Sequence, residues 1–123
     1  MGEVLGLGGI FFKCRNKDKL VAWYREFLGF PVADYGGVDF DPKALPENAL
    51  GVWGAFDATT EYFAPSTKEF MFNLVVDNVE GVLARAKAGG AEIVGEVEEY
   101  EYGRFGWFMD PEGNKIELWQ PPG

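Results

Sequence analysis

The sequence has 123 residues, a length typical of one domain, and 47% of them are hydrophobic, which is enough to bury a sizeable core. Its net charge of −9 argues against nucleic-acid binding, because contact with phosphates needs a basic surface. The sequence has neither a bilayer-spanning apolar run nor a signal-peptide pattern at its start, so we expect a cytoplasmic protein without membrane association.

The first half of the chain predicts a strand, a helix and three further strands, in that order. An apolar run over residues 4–14 predicts the first strand. Asn16 is a suitable N-cap for a helix whose apolar residues recur at helical spacing, and Gly29 is a suitable C-cap. The three further strands are predicted at residues 30–35, 38–40 and 49–56.

The second half predicts the same order of elements. A strand at residues 70–76 is followed by a helix that begins after Asn78 and ends at the glycine pair 89–90. The last predicted strands are residues 91–97, 102–109 and 115–120. We therefore predict one domain, residues 1–123, with module one at about 4–56, a connector at 57–68 and module two at about 69–120. The alternative from the pattern alone is an α+β meander without a repeat.

Two motifs link the chain to a known family. Residues 24–29 have the pattern Tyr-x-x-x-Leu-Gly, and residues 110–114, Asp-Pro-Glu-Gly-Asn, precede Ile-Glu-Leu. They resemble the glyoxalase/bleomycin-resistance/extradiol dioxygenase (vicinal oxygen chelate) superfamily, over residues 5 to 120. The resemblance implies an α+β fold in which two βαβββ modules with curved mixed sheets enclose a cavity. It also implies a homodimer, which is common among members with two modules in one chain.

Metal-dependent members of this superfamily hold a divalent ion with four side chains, typically His, Glu or Gln. The matching positions in this sequence are Gly9, Gly51 or Trp53, Met71 and Glu117. Only Glu117 offers an oxygen donor that suits a hard ion. The sequence contains no histidine, which excludes a histidine-ligated dioxygenase site. We therefore predict a protein without the usual metal and without another cofactor.

Strand alternation assigns side chains to the predicted cavity. In the last strand, Lys115, Glu117 and Trp119 are expected to face it, while Ile116 and Leu118 enter the core. A mostly apolar lining with a few polar groups is typical of a small-molecule site. The predicted ligand-binding residues are Phe11, Lys13, Trp53, Met71, Asn73, Arg104, Glu117 and Trp119, whereas Trp23, Tyr24 and Trp107 are assigned to the core.

Some roles stay open at this point. Lys13 and Glu117 fit a structural ion pair as well as separate contacts to a ligand, and Arg104 fits a carboxylate or phosphate ligand as well as a solvent-facing position. The leading hypothesis is a metal-free protein that binds a small aromatic or apolar molecule. The alternative is a lyase or isomerase that uses Glu117 as a catalytic acid or base, or a metal held by the acidic residues of segments 39–47 or 96–101. A third hypothesis is an accessory domain that docks to a partner.

Overall fold

The computed structural model describes residues 2–123 and contains two α-helices, one short 3-10 helix and a five-stranded mixed sheet. The α+β class predicted from the sequence is confirmed. Among these residues, neither helix has the length and apolar character needed to cross a membrane. The elements in chain order are α1 (Lys17–Leu28), the 3-10 helix (Pro42–Ala44), β1 (Phe72–Val75), α2 (Val79–Ala88), β2 (Glu92–Ile93), β3 (Glu98–Tyr100), β4 (Gly103–Met109) and β5 (Lys115–Gln120).

The sheet belongs entirely to the second half of the chain. Its strand order is β1-β5-β4-β2, with β3 also paired to β4. Strand β1 is parallel to β5, and the other pairs are antiparallel. The sequence predicted one strand at residues 91–97, but the structure has β2 and β3 instead. Gly95 has a φ of +69° and lies between them, which explains the break, because this backbone conformation does not continue a strand.

Both helices begin and end at the predicted caps. The side chain of Asn16 accepts a hydrogen bond from the backbone N–H of Lys19, and Asn78 accepts one from Gly81. Gly29 ends α1 in the left-handed conformation, with φ +69°, and its N–H donates to the carbonyl of Tyr24. These local contacts satisfy backbone groups that a helix end leaves without partners, so the sequence near each cap is sufficient to predict it.

The two family-like motifs are hydrogen-bonded to each other in the core. The Tyr24 hydroxyl on α1 donates to the buried carboxylate of Asp110 at 2.8 Å. The same carboxylate accepts hydrogen bonds from the backbone N–H groups of Glu112 and Asn114, both at 2.9 Å, and from the Asn114 side chain at 2.8 Å. Burial, with Asp110 nearby, raises the pKa of Tyr24, so this hydroxyl stays a donor. One motif thus supplies the donor Tyr24 and the other the acceptor Asp110 of a hydrogen bond that holds α1 on the turn between β4 and β5.

The four strands predicted for the first half are not formed in the single chain. Residues 30–40 contribute only an isolated bridge between Val32 and Val38, and segments 4–14 and 49–56 lie outside all strands. Phe11 is 96% exposed and Trp53 80%. Part of the first segment does touch the core, since the Phe12 ring lies 4.8 Å from that of Phe72. A strand needs a neighbour for its backbone hydrogen bonds, and one copy of the chain supplies none to these segments.

Candidate functional site

The two faces of the sheet have different chemistry. On one face, Ile116, Leu118 and Phe108 are buried in a core with side chains from both helices, as predicted for the first two. The alternating residues of β5 point to the other face, which carries Glu117. The register of the sheet places Asn73 of β1 and Trp107 of β4 beside Glu117 in one row. This row forms the centre of the candidate site.

The Glu117 carboxylate accepts three hydrogen bonds, all from neutral groups. The side-chain amide of Asn73 donates to Oε1 at 2.7 Å. The indole N–H of Trp107 donates to Oε2 at 3.0 Å, and the hydroxyl of Tyr62 donates to the same oxygen at 2.5 Å. A carboxylate can accept about four hydrogen bonds, so most of its capacity is used by these three donors.

Tyr62 comes from the connector and covers this row. Its backbone carbonyl accepts a 2.6 Å hydrogen bond from the Lys115 ammonium, which lies 5.0 Å from the centre of the Tyr62 ring. Burial lowers the pKa of Lys115, while the nearby charge of Glu117 acts in the opposite direction. Burial and the hydrogen bond to Glu117 raise the pKa of Tyr62, so its hydroxyl is protonated at neutral pH. The connector is therefore attached to the sheet through both the backbone and the side chain of Tyr62.

Aromatic rings surround these polar groups. The Tyr62 ring meets Trp107 edge to face, at 6.3 Å and 90°, and it stacks on Phe56 at 5.8 Å and 8°. Phe105 stacks on Trp107 at 6.4 Å on the same face of β4. The indole N–H of Trp119 donates to the carbonyl of Tyr102 at 2.8 Å, so its polar edge is already occupied. The arrangement offers flat apolar surfaces around one carboxylate.

The structure brings some of the predicted site residues together and separates others. Asn73 and Glu117 are in contact, Trp119 lies on the same face, and half-buried Met71 directly precedes β1. Phe11, Lys13 and Trp53 are exposed in the first half of the chain.

The roles left open for two charged residues can be compared with the described part of the chain, residues 2–123. No ion pair between Lys13 and Glu117 is formed there, because Lys13 lies in the exposed first segment. Arg104 alternates with Phe105, which directs its side chain to the face that carries α2. It pairs with Glu80 of α2 and with Glu99 of β3. The structure therefore does not bring Arg104 to Glu117.

The sequence did not predict that Trp107 and Tyr62 belong to the site, and it predicted the position of Lys115 but not its contact with the connector. Trp107 was predicted as a core residue; it is buried, but its N–H reaches Glu117. Its place on the site face could have been found from the alternation of β4. Lys115 was predicted to face this way, but its contact with the connector was not expected. Tyr62 carries no signal in the sequence, because its position depends on how the connector folds back over the sheet.

The residues present do not fit the divalent ion of the metal-dependent relatives. Of the positions that match a ligand set, only Glu117 has an oxygen donor, and that carboxylate is occupied by an amide, an indole and a phenol. Within residues 2–123 no group of three or more Cys, Asp or Glu side chains is arranged to hold a metal ion.

A mixed sheet with two helices on one face and a row of polar and aromatic side chains on the other is consistent with a glyoxalase-like fold. The model of the glyoxalase-like domain family matches residues 9–119. The chain belongs to this family, and so to the glyoxalase/bleomycin-resistance superfamily, as its motifs predicted. No curated protein matches the chain significantly.

Solved structures with the same fold have low sequence identity to the chain. TnmS3, an antibiotic-binding protein from Streptomyces sp. CB03234, aligns with a TM-score of 0.51 and 22% identity over 89% of each chain. The oxidase ChaP-H2 aligns with a TM-score of 0.50 and 18% identity, over 87% of this chain and 86% of its own. At these identities the likeness concerns the fold alone.

Proposed function

We propose that the protein binds a small, largely apolar aromatic molecule on the face of the sheet that carries Glu117, without a metal. The observation that carries this proposal is a single carboxylate with three neutral hydrogen-bond donors at the centre of aromatic walls. Sites for small molecules typically combine a mostly apolar lining with a few polar groups that orient the ligand. The antibiotic-binding activity named for TnmS3, which has the same fold, is compatible with such a role.

The hydrogen bonds of Glu117 support the loss of the metal site. An ion at this carboxylate would have to displace the donors Tyr62, Asn73 and Trp107, and it would find no second anionic ligand among them. Divalent ions such as Mg²⁺ and Zn²⁺ need several oxygen, nitrogen or thiolate donors to replace their water. The neutral groups instead hold the carboxylate in one position, where it can accept a hydrogen bond from a ligand.

Binding is tested by thermal unfolding of chelator-treated protein with a panel of neutral aromatic compounds. We expect at least one compound to raise the Tm, since a ligand at 100 times its Kd adds about 2.7 kcal/mol to the free energy of unfolding. Trp107→Leu should remove this shift, because it removes both an aromatic wall and a donor to Glu117. Tyr35→Leu is the control, since Tyr35 is exposed outside the site. A panel without any shift, or tight stoichiometric metal in the purified protein, would contradict the proposal.

We also propose that the chain has two βαβββ modules and that it completes the first one as a homodimer. The segments 4–14 and 49–56 expose apolar side chains, and a groove of about 330 Å³ runs beside β1, lined by Phe30, Phe40 and Leu45 among others. Pairing between two copies would give these segments the backbone partners that strands need, and would bury surface that a monomer rarely leaves exposed. Light scattering should give the mass of two chains, and a mass of one chain at micromolar concentration would contradict the pairing.

A second candidate is a metal-free lyase or isomerase with Glu117 as its acid or base. The observation in its favour is the position of the Glu117 carboxylate among aromatic side chains, where it could exchange a proton with a bound compound that takes the place of the Tyr62 hydroxyl. Chemical conversion of a bound compound by the wild-type protein, lost in Glu117→Gln, would favour this candidate over binding alone.

A further inference from the structure

Tyr62 occupies the candidate site in the way that a ligand would. Its ring packs against Trp107 and Phe56, and its hydroxyl donates to the Glu117 carboxylate. Tyr62 is nevertheless 41% exposed and belongs to the connector, not to the sheet. The side chain is thus a partly exposed cover of the Glu117 carboxylate, and its phenol hydroxyl is one of the three donors to that carboxylate.

The connector does not depend on this ring for its attachment. The carbonyl of Tyr62 is held by Lys115 at 2.6 Å, and farther along the connector the hydroxyl of Ser66 donates to the carbonyl of Gly113 at 2.7 Å. Rotation of the Tyr62 side chain would therefore open the space above Glu117 and leave these anchors in place. The same contacts should hold the connector when the ring is removed by substitution.

The charges around this space favour one class of replacement for the phenol. When the Tyr62 hydroxyl leaves, Glu117 Oε2 keeps the hydrogen bond from Trp107 and has room for one further donor, because a carboxylate only accepts. A carboxylate or phosphate ligand would be repelled by Glu117. A cationic ligand would lie close to the ammonium of Lys115, which is 5.0 Å from the centre of the Tyr62 ring. A neutral hydroxyl on a flat ring avoids both penalties and retains the contacts with the aromatic walls.

We infer that the ligand of this site is a neutral hydroxyaromatic molecule, whose hydroxyl replaces that of Tyr62 on Glu117 while the Tyr62 side chain turns away. This inference rests on the proposed function and specifies its class of ligand. Tyr62 then acts as an internal competitor that keeps the polar groups satisfied in the unliganded protein. Its removal should expose the preference of the site for a phenol.

The test uses Tyr62→Ala and three probes of similar size: 4-methylphenol, 4-methylanisole and toluene. Titration calorimetry should show that 4-methylphenol binds at least about ten-fold more tightly than the other two, because only it can donate a hydrogen bond to a charged acceptor. In the double variant Tyr62→Ala/Glu117→Gln, this preference should fall to a few-fold, since the charge is lost. Tyr35→Ala is the matched control: it removes an exposed tyrosine that also donates to a carboxylate, that of Asp39, and it should create no binding site.

The outcomes separate the two proposals. Equal binding of all three probes to Tyr62→Ala would overturn the hydroxyaromatic inference and leave the aromatic site intact. Absence of binding by any probe or panel compound would overturn both. If Tyr62→Ala does not fold, the wild-type protein is titrated with 2-naphthol and 2-methoxynaphthalene. Preference for the naphthol, together with a change in the NMR signals of the Tyr62 ring, supports the inference, and equal affinity for the two compounds overturns it.

Discussion

Replacing Asp110 with alanine should lower the free energy of unfolding by about 3 to 5 kcal/mol, because several buried donors lose their acceptor at once. Its carboxylate accepts from the hydroxyl of Tyr24, from two backbone N–H groups of the turn and from the side chain of Asn114, which is fully buried. A buried donor without a partner costs about 1 to 3 kcal/mol. Denaturant titration followed by circular dichroism measures the loss.

A matched control tests whether the loss of stability comes from the burial of the tyrosine–carboxylate pair or from the pair alone. Tyr35 donates to Asp39 as Tyr24 does to Asp110, but Tyr35 is 64% exposed. Water replaces the lost partner at the surface, so Asp39→Ala should change the free energy of unfolding by no more than about 0.5 kcal/mol. Equal losses in the two variants would mean that the hydrogen bonds of Asp110 do not hold α1 on the sheet.

Gly103→Ala should cost about 2 to 5 kcal/mol of the free energy of unfolding and should also disturb the candidate site. Gly103 begins β4 with φ +136°, a conformation that residues with a side chain rarely adopt, which accounts for about 1 to 2 kcal/mol. A methyl group there would lie 2.5 Å from the carbonyl oxygen of Gln120 and would overlap the indole nitrogen of Trp119. Overpacking of this kind typically adds about 1 to 3 kcal/mol.

Gly113→Ala supplies the control for the backbone conformation alone. Gly113 also has a positive φ, +82°, but a methyl group there would meet no atom within 4 Å. Its cost should therefore stay at about 1 to 2 kcal/mol. Tryptophan fluorescence should change in Gly103→Ala, because Trp119 must move, and should stay close to that of the wild type in Gly113→Ala. Equal stability of the two variants would contradict the predicted clash.

The agreement between prediction and structure is best where contacts are local in the sequence. The caps Asn16, Gly29 and Asn78 bond to residues only a few positions away, so the sequence near each of them contains the required information. The alternation in β5 placed Ile116 and Leu118 in the core, because successive side chains of a strand point to opposite faces whatever lies around it.

The candidate site was predicted less well, because it depends on register and on the path of the connector. Asn73 and Glu117 were assigned to one cavity, and they are in contact. Tyr62 and the role of Trp107 were missed, since a donor for Glu117 can come from any segment that folds over the sheet. Arg104 was a candidate for a ligand contact, but its place on β4 puts it within reach of Glu80 on α2 and of Glu99 on β3, and both pair with it.

The sequence by itself determined the helices, the strands β1, β4 and β5 and the family, because capping, alternation and the two motifs act over short distances along the chain. The tertiary structure decided which groups surround Glu117 and which of the predicted strands form. Hydrogen bonds between strands need a neighbour in space, which the apolar pattern of segments 4–14 and 49–56 does not supply. For the same reason, only the folded connector could reveal that a phenol occupies the one carboxylate of the site.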